Sequence, residues 1–267
     1  MACKAGPRLP PVDAAPRIPI ERLLSSVCGL YGSSLASPEC SRLLEELRSA
    51  GVEEALQVGG LEVSGARLLG KGWAGFVFAA LLGDEPVAVK ALHPRSRRKS
   101  MEAEAAAWSI AYAAAAAPRI VAWGSRFIAY RLLTGPTLGD CIPDGVAGAL
   151  ALVHQALTLS WLLDLAGLRH GELARPGSHL LWDQVAGRLY IIDYDSATPS
   201  RNPGNLAQLV GGLHRVPWLR RCSPPLPGRL RHALRLYKRQ GPTPQAFARA
   251  ALGVLEYCAQ RLTGRGP

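Results

Sequence analysis

The string Gly70-Lys71-Gly72-Trp73-Ala74-Gly75-Phe76-Val77, followed by Val87-Ala88-Val89-Lys90, constrains this chain more than any other feature. Leu68 and Leu69 lead into the glycines, residues 76–82 leave them as an apolar strand, and Gly83-Asp84-Glu85-Pro86 supplies a turn before residues 87–92. The pattern predicts a glycine-bearing hairpin with a lysine on its second strand. A dinucleotide-binding fingerprint spells its glycines the same way, but it needs a helix to open at the third glycine. Here a Val/Phe-rich strand follows Gly75 instead. Without Cβ atoms at Gly70, Gly72 and Gly75, backbone N–H groups can approach phosphate oxygens, and Lys90 adds a compact positive charge. A plain hairpin with a surface lysine would carry the same letters, so the rest of the chain has to decide.

A second constellation lies about 80 residues beyond Lys90. Leu168-Arg169-His170-Gly171-Glu172 opens a loop that runs through Ser178 and His179 to Leu181. After a turn at residues 183–187 comes Tyr190-Ile191-Ile192-Asp193-Tyr194-Asp195. The order is loop, strand, turn, strand, acid. An acid ending an apolar strand suits a hard divalent cation, although an Ile-Ile-Asp alone is commonly just a strand end.

Taken together, the glycine hairpin, the strand lysine, the His-Gly-Glu loop and the strand-end acid resemble the protein-kinase-like superfamily in its compact atypical form. The likeness extends to the RIO-type and KEOPS-complex kinases and to archaeal proteins described as predicted serine/threonine protein kinases. It covers residues 60–200 with the motifs in order, and the flanks more loosely. What it implies is an α+β, bilobal protein-kinase-like fold, with a small β-rich nucleotide lobe, a reduced helical C-lobe and an N-terminal helical extension. The expected divisions are a disordered tail over 1–16, the helical extension over 17–60, the nucleotide lobe over 61–133 and the helical lobe over 134–267.

The resemblance also implies ATP and Mg²⁺ as cofactors. Gly70, Lys71, Gly72, Gly75, Val77, Ala88, Lys90, Glu104, Arg131 and Leu133 would meet the nucleotide, with the hinge at residues 134–139. Glu172, Lys90 and His170 would form the catalytic set, Glu172 orienting a substrate hydroxyl. Asp193 would hold the metal, aided by Asp195 and by Ser178 or His179, one of which stands where the family places an Asn. Glu104 would pair with Lys90. An Ala-rich helix opens near Ser100 and runs towards Pro118, and Glu102 and Glu104 are about 200° apart on it, so only one can face the lysine. Glu104 begins the apolar face continued by Ala107, Trp108 and Ala111; Glu102 suits a solvated first-turn position.

The departures are equally specific. His-Gly-Glu replaces the usual His-Arg-Asp, and Asp193-Tyr194-Asp195 replaces Asp-Phe-Gly. The longer side chain of Glu172 displaces its carboxylate by about 1.5 Å, one C–C bond. Displacement on that scale can slow chemistry ~100-fold. Asp195 is either a second metal ligand or a turn residue capping Ser196 or Ala197. No Ala-Pro-Glu string follows, so regulation through a long activation segment is not expected.

At 267 residues and 48% hydrophobic content, the chain can bury a sizeable core without staples. Six cysteines at 3, 28, 40, 141, 222 and 258 show no CxxC or zinc spacing, so neither a zinc site nor a disulfide framework is expected, and a reducing cytoplasm is the natural compartment. Residues 146–168 are apolar enough to suggest a membrane span, but His154, Gln155 and Asp164 interrupt them; a buried central helix, and no membrane contact, is the expectation. A formal charge of +11 and a pI near 9.8 suit an acidic partner. Between Arg215 and Arg239 there are eight Lys or Arg and no acid, and Arg95, Arg97, Arg98 and Lys99 form another basic cluster. RNA or a ribonucleoprotein is therefore a candidate partner beside a protein substrate, although aromatics for base stacking are sparse.

Three functions compete at this point. The first is an ATP-dependent atypical serine/threonine protein kinase. The second is a small-molecule phosphotransferase of the same fold, suggested by glycine after the loop histidine. The third is a non-catalytic nucleotide-binding module on an RNA or protein assembly, suggested by Glu172 and the missing Asn.

Overall fold

The computed structural model describes residues 2–5, 9–223 and 225–264. The chain is a mixed α+β protein, 42% helix and 22% strand, with eight helices among the described residues and several small sheets. It divides into two compact units. One comprises Leu9–Ala106 and Arg119–Leu132; the other comprises Met1–Arg8, Ala107–Pro118 and Leu133–Pro267. The first strand, β1 (Cys3–Ala5), belongs to the second unit.

The first unit is built on a seven-stranded antiparallel sheet. Its elements begin with β2 (Arg17–Pro19), α1 (Ile20–Leu30), α2 (Pro38–Ser49) and β3 (Glu54–Leu56). A separate hairpin of β4 (Leu61–Val63) and β5 (Ala66–Leu68) follows, then β6 (Gly70–Lys71), β7 (Gly75–Leu82) and β8 (Glu85–Leu92). Beyond α3 (Glu102–Ala113), along which the division between units falls, β9 (Ile120–Trp123) and β10 (Phe127–Arg131) complete the sheet. The strand order is β2-β3-β7-β8-β10-β9, with β6 paired to β7.

Alternation along the strands sorts the sheet into two faces. Phe76, Phe78, Ala80, Val87, Val89, Ala91, Phe127 and Ala129 belong to one face and join a core with Ile20, Leu23, Leu24 and Val27 of α1 and Leu43 and Leu47 of α2. The register sets Val77 opposite Lys90, Ala79 opposite Ala88 and Ile128 opposite Lys90, so these residues occupy the other face. Residues 17–60 are not purely helical as the sequence suggests, because β2 pairs with β3 and β3 with β7 inside the main sheet. Three-residue strands carry too little periodicity to stand out beside two amphipathic helices.

In the second unit, β11 (Ile142–Pro143) pairs with β1, and α4 (Gly145–Leu165) follows. Next come β12 (Leu168–Arg169), α5 (Pro176–His179), the hairpin of β13 (Leu180–Asp183) and β14 (Arg188–Ile191), and β15 (Thr198–Pro199), which pairs with β12. Three helices close the chain: α6 (Asn205–Gly212), α7 (Gly228–Gln240) and α8 (Pro244–Leu262). Pro244 sits in the first turn of α8 and the Thr243 hydroxyl accepts from Ala246 N–H, the capping chemistry its sequence announces.

The 21 residues of α4 have a mean hydropathy of 1.6 in their most apolar window, long and apolar enough to cross a membrane. Leu152, Val153, Ala156, Leu157, Leu159 and Leu163 are buried within the protein, as is Asp164 near the C-terminal end. Trp161 stacks on Phe247 of α8 with ring centroids 4.5 Å apart and donates to the Pro242 carbonyl at 2.8 Å.

Two findings depart from expectation. The tail expected to be disordered over 1–16 includes β1, while residues 1 and 6–8 lie outside the described residues. Four of the six cysteines are paired, Cys3 with Cys141 and Cys28 with Cys40. The first pair is 138 residues apart in sequence, so only the β1–β11 pairing brings it together and no spacing rule could reveal it. The expectation of a reducing compartment, which rested on unpaired cysteines, loses that support.

Candidate functional site

In the sheet unit, Lys90 and Glu104 form the central contact. Lys90 Nζ lies 2.6 Å from Glu104 Oε1, and Arg98 Nη1 lies 2.8 Å from Oε2. The Glu104 side chain has no solvent exposure, whereas Glu102 is exposed. Burying a carboxylate is costly unless it is paired and hydrogen-bonded, and here both oxygens are held by cations. Arg98, counted from sequence as part of a surface basic cluster, is instead committed to this pair.

Val77, Ala88 and Lys90 share one sheet face. Arg131 does not: it pairs with Val87 on the opposite face, and its backbone N–H donates to the Arg119 carbonyl at 2.9 Å. Leu133 is buried. The glycines divide by role. A Cβ on Gly75 would stand 2.3 Å from the Ala91 carbonyl oxygen, so strand packing by itself requires glycine there. Gly72 N–H donates to the Gly75 carbonyl at 2.8 Å, so this donor closes the hairpin rather than facing a phosphate. A Cβ on Gly70 would meet nothing within 4 Å, and Lys71 lies over the Tyr31 ring at 5.6 Å. His93 pins the hairpin tip: its Nε2 is 2.8 Å from the Trp73 carbonyl, its N–H donates to the Ala74 carbonyl at 3.3 Å, and its ring stacks on Tyr31.

In the second unit, the loop after β12 and the end of β14 gather His170, Glu172, His179 and Asp193. Gly171 has φ +92° and approaches Ser196 closely, which accounts for glycine within His-Gly-Glu. His170 is fully buried. Glu172 N–H donates to its Nδ1 at 3.3 Å, which leaves Nε2–H to donate to the Ile192 carbonyl at 3.1 Å. Burial, with the nearby His179 second, holds its pKa down to about 4. A neutral ring with both nitrogens engaged positions the Glu172 loop. Expected from sequence in the catalytic set, His170 is buried here with both ring nitrogens engaged by the backbone.

Glu172 Oε2 lies 3.0 Å from His179 Nε2 and 3.3 Å from Arg175 Nη2, and Ser196 donates to Oε1 at 3.4 Å. His179 is buried, and its Nδ1 stands 3.9 Å from Asp193 Oδ2. Asp193 adopts φ +71°, a left-handed backbone that is uncommon outside glycine and clusters at functional sites. Two other residues were expected at the metal. Ser178 donates to the Arg175 carbonyl, and exposed Asp195 accepts from the Ser196 hydroxyl. Among the described residues, no group of three or more His, Cys, Asp or Glu is placed to hold a metal ion.

The sequence reading missed what supports this loop. Buried Asp164 on α4 accepts from the backbone N–H groups of Asn205 and Leu206, from Asn205 Nδ2 and from Tyr237 Oη. Asn205 in turn donates to the Leu168 carbonyl at 2.7 Å and accepts from His170 N–H at 2.9 Å. One carboxylate thus caps α6 and, through Asn205, fixes the chain on either side of Arg169. Burial pushes the Asp164 carboxyl up, and burial with the adjacent carboxylate pushes the Tyr237 hydroxyl up. A lone acid inside an otherwise apolar helix was the available signal. Tyr194, also buried, packs against Trp108 with centroids 5.3 Å apart and against His170 at 5.1 Å.

Away from these clusters, Arg229, Arg231, Arg235, Lys238 and Arg239 of α7 are all exposed. No model of a known protein family matches the sequence, and no curated protein matches it.

Proposed function

We propose that the chain is an ATP-dependent phosphotransferase with a bilobal protein-kinase-like fold, passing the γ-phosphoryl group to a serine or threonine hydroxyl of a protein. The observation that carries this reading is the Lys90–Glu104 pair at 2.6 Å, with Lys90 on the same sheet face as Val77 and Ala88 and one strand from the glycine hairpin. An ammonium fixed by a buried carboxylate is a preorganised charge for the α and β phosphates.

Asp193 is the residue that would hold a divalent cation, and its left-handed backbone supports that role. Such a cation supplies neutralisation of charge on the β and γ phosphates. Glu172 would orient the acceptor hydroxyl through Oε1, since Oε2 already meets His179 and Arg175. His170 would keep that loop in register, and the exposed cations of α7 would serve an RNA or other acidic partner. Phosphate transfer from labelled ATP, compared with Lys90→Ala and Asp193→Ala, tests the reading.

A second reading, nucleotide binding without transfer, is favoured by one observation: the Glu172 carboxylate is engaged by His179, Arg175 and Ser196. Nucleotide binding with no transferred label would support it.

A further inference from the structure

Four of the six cysteines close the two disulfides, and the remaining two, Cys222 and Cys258, meet each other as free thiols. Their side chains are hydrogen-bonded to one another. Tyr257 Oη donates to the Ser223 carbonyl at 2.6 Å, so the residues next to the two cysteines are tied as well. Cys222 closes a turn, its N–H donating to the Leu219 carbonyl at 2.8 Å, and Cys258 stands near the C-terminal end of α8. Both are buried, 2% and 0% exposed, which shields the sulfurs from a bulky reagent. An open cavity of about 390 Å³, lined by Arg221, Ser223, Arg261 and Gly264, nevertheless reaches the residues on both sides of Cys222.

The two sulfurs differ in character. The Cys258 hydrogen bond, opposed by burial and helped by the Arg261 charge, holds the Cys222 thiol below its ordinary range. The same hydrogen bond, with burial, pushes the Cys258 thiol up. One sulfur ionises readily and its neighbour keeps a proton, the division between a reactive thiol and a resolving one.

We propose that Cys222 and Cys258 form a peroxide-oxidisable thiol pair, in which Cys222 is the sulfur that attacks the oxidant and Cys258 is the thiol that resolves it into a disulfide. In the first step the Cys222 thiolate attacks one oxygen of hydrogen peroxide. The O–O bond breaks, Cys222 becomes a sulfenic acid, and the other oxygen leaves as hydroxide, which takes the proton Cys222 gave up and becomes water. In the second step the Cys258 sulfur attacks Cys222 Sγ. The S–S bond forms, the S–O bond breaks, and the hydroxyl leaves with the Cys258 proton as a second water. Two electrons pass from the two thiols to one peroxide. An oxidant the size of water suits sulfurs buried this deeply, and the resulting crosslink would close a loop containing the whole of basic α7.

This inference is independent of phosphate transfer. The test uses full-length protein isolated without reductant and exposed to hydrogen peroxide or, separately, to oxidised glutathione, then alkylated in denaturant and read by peptide mass spectrometry. Peroxide should link Cys222 to Cys258, and the bulkier oxidised glutathione should do so far less over the same interval. Cys258→Ser, which keeps a hydroxyl donor beside Cys222, should accumulate the sulfenic acid on Cys222, captured by dimedone added with the denaturant. Cys222→Ser should leave Cys258 reduced. Circular dichroism verifies that both variants are folded. A crosslink already present on isolation, opened by dithiothreitol and restored by peroxide, is the same result. Both thiols still free after peroxide, oxidation of Cys258 undiminished in Cys222→Ser, or equally fast crosslinking by oxidised glutathione would overturn the proposal, as would a crosslink that peroxide does not restore.

Discussion

Lys90 and Glu104 lie 2.6 Å apart across the sheet unit, and the glutamate side chain has no solvent exposure. Because Arg98 holds the other carboxylate oxygen, the two cations partly substitute for each other. Lys90→Met should cost about 1–3 kcal/mol in urea denaturation, below the 3–5 kcal/mol typical of leaving a buried charge wholly unpaired. Arg98→Met in the Lys90→Met background should cost more than it does in the wild type, since the carboxylate is then uncompensated. Additive costs in that double-mutant cycle would mean that the cations act independently.

The Asp164 network predicts a large and graded loss. Asp164→Ala strands buried donors from Asn205, Leu206 and Tyr237 and should destabilise by about 3–5 kcal/mol, or prevent folding. Tyr237→Phe removes one donor of the four hydrogen bonds and should cost about 1–3 kcal/mol. Thermal and urea unfolding of both variants check the order.

His170 sets a pH dependence with a defined sign. Its folded pKa is near 4, below the ordinary histidine value, so between about pH 6.5 and 4 the unfolded chain binds more protons than the folded one. Stability from this group is fully present above pH 6.5 and is lost as pH falls through 4. The slope should reach about 1.4 kcal/mol per pH unit within that window. Compared with the wild type in EDTA, His170→Asn should flatten the profile there; parallel profiles would show that the ring titrates normally.

The glycine hairpin separates packing from ligand binding. Gly75→Ala drives a Cβ against the Ala91 carbonyl and should cost about 1–3 kcal/mol. Gly70→Ala meets open space and should change stability by no more than about 0.5 kcal/mol, while weakening ATP binding if this backbone lies on phosphates. Calorimetric ATP titration of folded Gly70→Ala provides the readout.

What was legible in the sequence was local. The hairpin around Gly75, the long apolar α4 and the Thr243-Pro244 start of α8 each carry a period or a cap that a short window contains. Glu104 could be separated from Glu102 because helical geometry permits only one to face inward. The rest depended on distant contacts. β2 and β3 are too short to show alternation, and Cys3 finds Cys141 only through the fold. Gly72 and Gly75 looked alike in sequence, but one closes the hairpin with its N–H and the other makes room for Ala91. Asp164 reads as an interruption because the residues that donate its four hydrogen bonds, Asn205, Leu206 and Tyr237, come from α6 and α7.

The most direct test of the central claim is transfer of label from γ-labelled ATP, with Mg²⁺ and separately with Mn²⁺, to the purified protein and to a panel of basic and acidic proteins. Label that appears on protein hydroxyls with the wild type and falls at least about 100-fold in both Lys90→Ala and Asp193→Ala is the predicted result. Absence of transfer with either ion, or transfer undiminished in either folded variant, would contradict the account.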